Sequence, residues 1–430
     1  MDGAGSLPNR LRGPGLVQDL LYGFDPEGFF ARAHERYGDM FTARVLSEDW
    51  VVLGDPSAVK EAFALGPEDA NSGEANFVLR PLIGTRNLLL TDGEEHLARR
   101  KLVLPPFHGD RMRAYEDTIR EAAAAQIEQL PLDEPVALLP RMQSLTFSVI
   151  LRCVFGLRDE ERLHRVGDPL QRMLNWITDM RRVLVIGLLG PDWLIRMPGF
   201  RRQVEVVDRE LTAEIESRRA AQDSGEREDI LSMLLIAKDE DGQGLSDQEL
   251  RDELVTLLIA GHETTAALIA WAVHELARAP QHQDPLSRGE EGLSEAVVTE
   301  ALRLRPPVPL VVRRLRRPTT IAGCRLPAGA TLVPSTLLVH RRPDVYPDPW
   351  TFDPTRFIDR RPVASEWFPF GGSVRRCIGA AFAQFEGRIV LEELSRALHF
   401  SPDRNRPERV GRRGPVLVPN RGARVVAARR

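Results

Sequence analysis

The stretch from Ser246 to Ala279 constrains this chain most, because its periodic pattern runs without a break and Leu254 to Val273 is apolar on nearly every face. Ser246 followed three residues later by Glu249 is a capping box. Asp247 and Glu249 add negative charge to the first turn, and Pro280 stops the helix. At 1.5 Å per residue the helix is roughly 50 Å long, enough to cross a whole molecule. A helix that is apolar all round is either buried in protein or set in a membrane. His262 and Glu263 lie at its centre, where a mid-membrane charge costs about 2.5 kcal/mol or more. The sequence therefore predicts a helix buried through a protein core, with polar groups in its middle turn that need a partner or a purpose.

Composition narrows the setting. Among 430 residues, 43% are hydrophobic and 28% charged, which excludes a collagenous, coiled-coil or disordered chain. Lys plus Arg total 58 against 62 Asp plus Glu, and a net charge of -4 gives no electrostatic case for nucleic acid or an anionic membrane. Cys153, Cys324 and Cys377 are too few and too widely spaced for a disulfide framework or a CxxC zinc or redox site. Met1 to Gly15 is polar and rich in Gly and Pro, without the pattern of a signal peptide or an anchor. The expectation is a protein of the reducing cytoplasm.

Pro26 to Tyr37 reads as a helix, Met40 to Leu53 alternates as a hairpin, and Asp55 caps a further helix over Pro56 to Ala64. Glu94 to Leu235 is mainly helical, interrupted at Pro105-Pro106, Pro131 to Pro140, Pro191 and Pro198. From Pro306 to Pro369, frequent prolines and β-branched runs such as Val308 to Val312 and Ala330 to Pro334 predict small sheets and an irregular meander. A last helix is expected from about Ile378 to Leu398, with strand or coil after Ser401. The fold class is mainly α with small β-sheets, in one domain over 1–430.

The middle turn of the central helix reads Ala260-Gly261-His262-Glu263-Thr264-Thr265. Its His-Glu pair starts like a zinc-protease HExxH helix, but Ala266 stands where the second histidine is needed. Gly261 costs about 1 kcal/mol relative to Ala, so propensity does not account for this turn. A purely structural reading has threonine hydroxyls bonding back to the carbonyl four residues earlier. A second signal lies at Phe370-Gly-Gly-Ser-Val-Arg-Arg-Cys377-Ile-Gly379, a glycine-rich loop leading into an apolar helix. Its glycines permit positive φ and close approach to something flat, and Cys377 falls at a helix N-terminus whose dipole favours the thiolate. A lone thiolate in this setting suits haem iron. Cys153, in a helical run, and Cys324, beside Gly323, read as ordinary thiols.

This loop resembles the haem-binding signature F-x-x-G-x-[RH]-x-C-x-G of the cytochrome P450 family. Phe370, Arg375, Cys377 and Gly379 match, and Ser373 stands where the family has glycine. Further motifs resemble the family across most of the chain. Glu300 and Arg303 form its E-x-x-R pair, which the resemblance makes buried and completed by a meander arginine, here Arg356. His96 and Arg100 match its [WH]-x-x-x-R pair, and with Arg313 and Arg375 they are implied to hold the haem propionates. The resemblance implies the cytochrome P450 fold, haem b as cofactor and Cys377 as axial ligand of the iron. The haem would lie between the central helix and the helix after Cys377. Ala260 and Gly261 are implied to open room for dioxygen, Thr264 to present its hydroxyl there, and Glu263 to pass protons from solvent.

The implied activity is that of a haem-thiolate monooxygenase inserting one oxygen atom from O2 into a hydrophobic small molecule, usually as hydroxylation. Terpenoid, fatty acid and polyketide substrates fit equally. Competing readings are a haem-binding protein without turnover, and a peroxygenase or isomerase; the Glu263-Thr264 pair favours reductive oxygen activation. As in soluble bacterial members, electrons are expected from a separate ferredoxin or flavodoxin with its NAD(P)H-dependent reductase. Arg99, Lys101, Arg111, Arg113 and Arg376 form the candidate docking surface, and the protein is expected to be a monomer without a membrane anchor. An apolar pocket is expected from Leu174 to Phe200, where the family has its lid, with Val308, Leu310, Val311 and the Asn76 to Leu90 loop. Arg181 and Arg182 read as lid surface.

Overall fold

A computed structural model describes residues 6–157, 159–178, 192–221, 225 and 227–430. The long periodic stretch is a helix over Asp247–Arg278, started by the expected capping box. Glu249 N–H donates to Ser246 Oγ at 3.4 Å, and Ser246 N–H donates to Glu249 Oε2 at 2.9 Å. Every residue from Thr265 to Ala277 is buried, as an apolar circumference requires. The helix packs against Leu138–Phe155, Leu293–Leu304 and Ala380–Ala397. At Gly261 an added Cβ would stand 3.1 Å from Ile150 Cδ1 of the helix Leu138–Phe155. Glycine here lets two helices meet. Leu138–Phe155 and Asp247–Arg278 are both apolar and long enough to cross a membrane, but both are mostly buried inside the protein, as core helices are.

Local chemistry sets the shorter elements. Asp25 accepts from Gly28 N–H ahead of the helix Pro26–Tyr37, and Asp55 accepts from Ser57 and Ala58 N–H ahead of Pro56–Ala64. In both, proline occupies the first turn, where its missing N–H costs nothing. The hairpin pairs Met40–Val45 with Glu48–Leu53, aligning Ala43 with Trp50. Its two-residue turn, Leu46-Ser47, has positive φ at both positions, the twist that tight hairpins favour. Glu48–Leu53 continues in parallel to Thr331–Pro334, then antiparallel to Arg313–Leu315 and on to Ala70–Asn71.

The meander region departs from its expected pattern in one place. Val308 to Val312 is no strand; pairing starts at Arg313, and before it only Leu310 bridges to Ser335. Pro309 removes one N–H from the run, and its remaining backbone pairing is limited to Val311 N–H on Pro334 O and Thr336 N–H on Pro309 O. The last helix runs over Ala380–Ala397 with Gly379 as its N-cap, so Cys377 precedes the helix. After it come the strand Leu398–Pro402, the hairpin Val410–Arg413 with Val416–Pro419, and the strand Arg424–Arg429, which pairs with Leu398–Pro402.

Candidate functional site

The Cys377 loop is shaped by its own backbone and by what lies beneath it. Cys377 N–H donates to Phe370 O at 2.9 Å, and Gly371 N–H donates to Phe368 O at 2.9 Å. Gly371 takes φ +68, and a Cβ on Gly372 would come 2.5 Å from Phe63, so this pair must be bare. Ser373 adopts φ +59, the left-handed region open to the glycine it replaces. Phe370 is half-buried, edge-on to Trp367 at 6.0 Å. Cys377 is reached by solvent yet ringed by protein: burial raises its thiol pKa, while Gly379 N–H, Arg100 and Arg376 pull it down. Burial wins, against the expectation that the helix terminus alone would favour the thiolate. A coordinated cation deprotonates such a thiol outright.

Four sequence-predicted groups converge beside this loop. His96 is buried and feels Arg375, Arg100 and Arg313, and burial together with these charges lowers its pKa to about 4. Arg313 donates to Ser72 Oγ at 2.6 Å and to Gly372 O at 3.0 Å, leaving its buried Nε without a partner. Arg100, within electrostatic reach of Cys377, has no hydrogen-bond or carboxylate partner among the described residues. Arg375 donates to Leu88 O at 3.1 Å and pairs with Asp92. Asp92 also accepts from the N–H groups of Ser72, Gly73 and Glu74, so its capacity is spent. Uncompensated cations beside an accessible soft sulfur fit a metalloporphyrin with its two carboxylates.

The Glu300–Arg303 pair is fully buried and bidentate, at 2.6 and 2.7 Å. Arg303 Nη1 donates to the carbonyls of His340 and Pro349, and Nη2 to that of Thr351. With two bonds to Glu300, all five guanidinium N–H groups are used. Arg356 joins more loosely than expected. Its Nε lies 3.6 Å from Glu300 Oε1 without forming a hydrogen bond, and its Nη2 donates to Asp348 O.

The middle of the central helix opens where its flanks are closed. Ala260 is exposed, and Thr256, Ile259, Gly261 and Thr264 are half-buried, a stripe of helical spacing. Helical assignment continues unbroken through Gly261. Thr264 Oγ1 donates to Ala260 O at 2.6 Å, the back-bond of the structural reading. Glu263 is turned elsewhere: it accepts from Gln143 Nε2 at 2.8 Å, and Arg413 Nε stands 3.0 Å from its Oε1. These groups, with His262, Gln171 and Asn175, line a cavity of about 300 Å3. The chain thus makes Glu263 and Thr264 neighbours in sequence without bringing their functional atoms together.

With this geometry in place, comparison with known proteins is decisive. The cytochrome P450 family model matches residues 14–289 and 292–426. The chain is a member of the cytochrome P450 family. It is 40% identical to cytochrome P450 135B1 of Mycobacterium tuberculosis over 97% of this chain and 91% of that one. It is 38% identical to cytochrome P450 137 of the same organism over 92% of this chain and 84% of that one. Among solved structures it resembles a cyanobacterial CYP120A1 with retinoic acid bound, at a TM-score of 0.86 and 23% identity, covering 99% and 100% of the two chains. Its fold is the cytochrome P450 fold, and its cofactor is haem.

Two expectations need correction. Arg99 is no docking residue: it is 5% exposed, pairs with Glu249 at 2.7 Å and donates to Arg86 O. Lys101 is exposed but pairs with Glu240 at 2.6 Å. The open cavity of about 640 Å3 beside the Asn76 to Leu90 loop is also charged, lined by Glu74, Arg86, Asp92, Glu95 and Glu249 together with Phe77. Val308 is exposed, and Val311 approaches Gly371. Residues 179–191 of the lid sequence, Arg181 and Arg182 among them, lie outside the described residues.

Sequence reading also missed how the 84–92 loop is held. Asp252 accepts from Thr85 and Arg86 N–H, and Glu253 accepts from Leu88 N–H at 2.6 Å. Adjacent acids on a buried helix were the available signal. Glu253 is 1% exposed, and burial outweighs Arg99 and the Leu88 N–H to push its pKa from 4.5 to about 8, with Asp252 and Glu249 adding to the rise. The folded state then holds a proton that the unfolded state has released, so this contribution is present at low pH and is lost as pH climbs from about 4.5 to about 8. Glu253→Gln should accordingly gain stability relative to wild type as pH rises from about 5 to about 8; parallel urea melts check this, and a pH-independent difference contradicts it. Ser373→Gly should relieve the left-handed strain and raise unfolding free energy by roughly 1 kcal/mol, read from the same melts.

Proposed function

We propose that this chain is a haem-thiolate monooxygenase that inserts one oxygen atom from O2 into a hydrophobic small molecule, with electrons from a separate ferredoxin or flavodoxin and its NAD(P)H-dependent reductase. The observation that carries this reading is the pairing of one accessible cysteine sulfur with a cation cluster, in a chain whose buried central helix opens along a middle stripe that includes Ala260, Gly261 and Thr264. When bound, the haem supplies oxygen activation, with electron density donated through its thiolate ligand.

The residues of the chain divide the remaining work. Cys377 would ligate the haem iron, presented by a loop held by Cys377 N–H on Phe370 O and Gly371 N–H on Phe368 O. His96, Arg100, Arg313 and Arg375 would hold the propionates, Arg313 through a buried Nε that has no other partner and Arg100 through a guanidinium with no carboxylate partner among the described residues. Ala260 and Gly261 keep the facing surface small, and Phe370 and Gly379 frame the loop. Glu263 collects protons from the polar cavity it shares with Arg413, Gln143 and His262. Thr264 offers a hydroxyl on the opposite, accessible side; releasing its bond to Ala260 O frees that proton for donation. Exposed Arg111, Arg113 and Arg376 form a basic face suited to an acidic electron donor.

Two substitutions test the assignment. Cys377→His should abolish the thiolate-type carbon monoxide spectrum of the reduced protein, and persistence of that spectrum removes Cys377 as ligand. Thr264→Ala should lower product formed per electron by roughly tenfold and raise peroxide release, if Thr264 delivers protons. Coupling equal to wild type, measured with any substrate the protein accepts, rules that role out.

A further inference from the structure

His340 belongs to none of the motifs above, yet it stands between the buried ion pair and the cysteine loop. It ends the short helix Thr336–Val339 and is fully buried. Its backbone carbonyl accepts from Arg303 Nη1 at 2.9 Å. Its side chain reaches the other way, and Nε2 lies 2.9 Å from the backbone N of Phe368. The ring is edge-on to Phe368 at 5.2 Å, and Phe368 is edge-on to Phe63 at 5.5 Å, the ring over which Gly372 passes. From Phe368 the connection continues through its carbonyl to Gly371 N–H, and from Phe370 O to Cys377 N–H.

We infer that His340 is a positioning residue for the iron-ligating thiolate: its imidazole accepts the Phe368 N–H and so ties the Cys377 loop to the Glu300–Arg303 pair. This rests on the reading of Cys377 as ligand. The chemistry of the bond is specific. A backbone N–H can only donate, so Nε2 must be the unprotonated nitrogen and the proton must sit on Nδ1. Burial, reinforced by Arg303 and Arg341, lowers the His340 pKa to about 3, and the ring therefore keeps its acceptor throughout the neutral range. The segment it holds has no helix or strand of its own between Val363 and Gly372. Without the bond, Phe368 N–H is left buried and unpaired, and the segment bearing the carbonyls that orient Gly371 and Cys377 keeps its earlier ties, Tyr346 OH on Glu366 O and Trp367 Nε1 on Thr299 O. Groups that orient a metal ligand from one shell out commonly change its hold on the metal by 10- to 100-fold.

The test uses the full-length haem-loaded protein and compares wild type with His340→Phe and His340→Gln. Phenylalanine keeps a ring of similar size without an acceptor, whereas glutamine places Oε1 where Nε2 stood. His340→Phe should convert much of the reduced, carbon monoxide-bound protein to the form lacking a thiolate ligand and lose haem to an apomyoglobin acceptor roughly tenfold faster. His340→Gln should retain both wild-type properties. The inference is overturned if His340→Phe matches wild type, or if His340→Gln fails as badly as His340→Phe, since the acceptor would then be irrelevant. A wild-type protein with no thiolate-type spectrum would instead overturn Cys377 as ligand. Should His340→Phe yield no soluble protein, nitrogen NMR of the wild-type carbon monoxide complex decides the matter. One histidine should remain the Nδ1–H tautomer between about pH 5 and 8, and the Nε2–H tautomer at His340 refutes the bond.

Discussion

A guanidinium with no water to solvate it is the constraint around which the cysteine side of this molecule is organised. Arg303 and Glu300 are both at 0% exposure, and removing either partner would strand a charge where none can be hydrated. A well-packed apolar pair of the same volume would serve stability as well, so the ion pair earns its place through direction. Its three remaining donors choose the carbonyls of His340, Pro349 and Thr351, while Glu300 also accepts from Asp353 N–H. These positions fall in chain that neither a ladder nor a long helix arranges. One side chain thus gives fixed coordinates to an irregular segment, and the Cys377 loop is built upon that segment.

Opposite charge balance governs the neighbouring cradle. His96, Arg313 and Arg375 feel the carboxylate of Asp92, which is already engaged by three backbone N–H groups and by Arg375, while Arg100 feels Arg376 and the Cys377 sulfur. The protein lowers the His96 pKa to about 4 rather than accept another cation there. Such a cluster repels itself, and its groups gain little from one another, so its electrostatics favour an anion. Asp92 prevents the repulsion from becoming prohibitive, and it does so by fixing the 72–74 turn to the cysteine loop.

What the sequence discloses follows the range of the interaction. Capping at Asp25, Asp55 and Ser246, the buried circumference after Leu254 and the E-x-x-R spacing are local, and each is legible because the partners lie within one or two turns. The glycine loop is legible for a similar reason: a Cβ at Gly372 has no room. Arg99 is misread because the burial of one arginine among many depends on Glu249 and Glu253, about 150 residues away. The roles of Asp92, Asp252 and Arg413 are equally nonlocal. A carboxylate that binds backbone N–H groups leaves no residue pattern at the receiving end, since every residue except proline offers the same donor. His340 is hidden for that reason too: its partner is an amide.

The central turn shows why adjacency in sequence is a poor guide to adjacency in function. Consecutive residues on an α-helix point roughly 100° apart. Glu263 and Thr264 therefore cannot share one surface while the helix stays regular, and it does stay regular here. The carboxylate faces a polar cavity held by Gln143 and Arg413, and the hydroxyl faces the accessible stripe. The helix itself separates the polar cavity that Glu263 lines from the accessible stripe that carries Thr264. Each functional group is engaged on its own side: Gln143 donates to the Glu263 carboxylate with Arg413 nearby, and the Thr264 hydroxyl donates to the Ala260 carbonyl. Helix geometry thereby assigns two chain neighbours to two environments, and the cation that sets the carboxylate's environment, Arg413, comes from about 150 residues away, which no local pattern can announce.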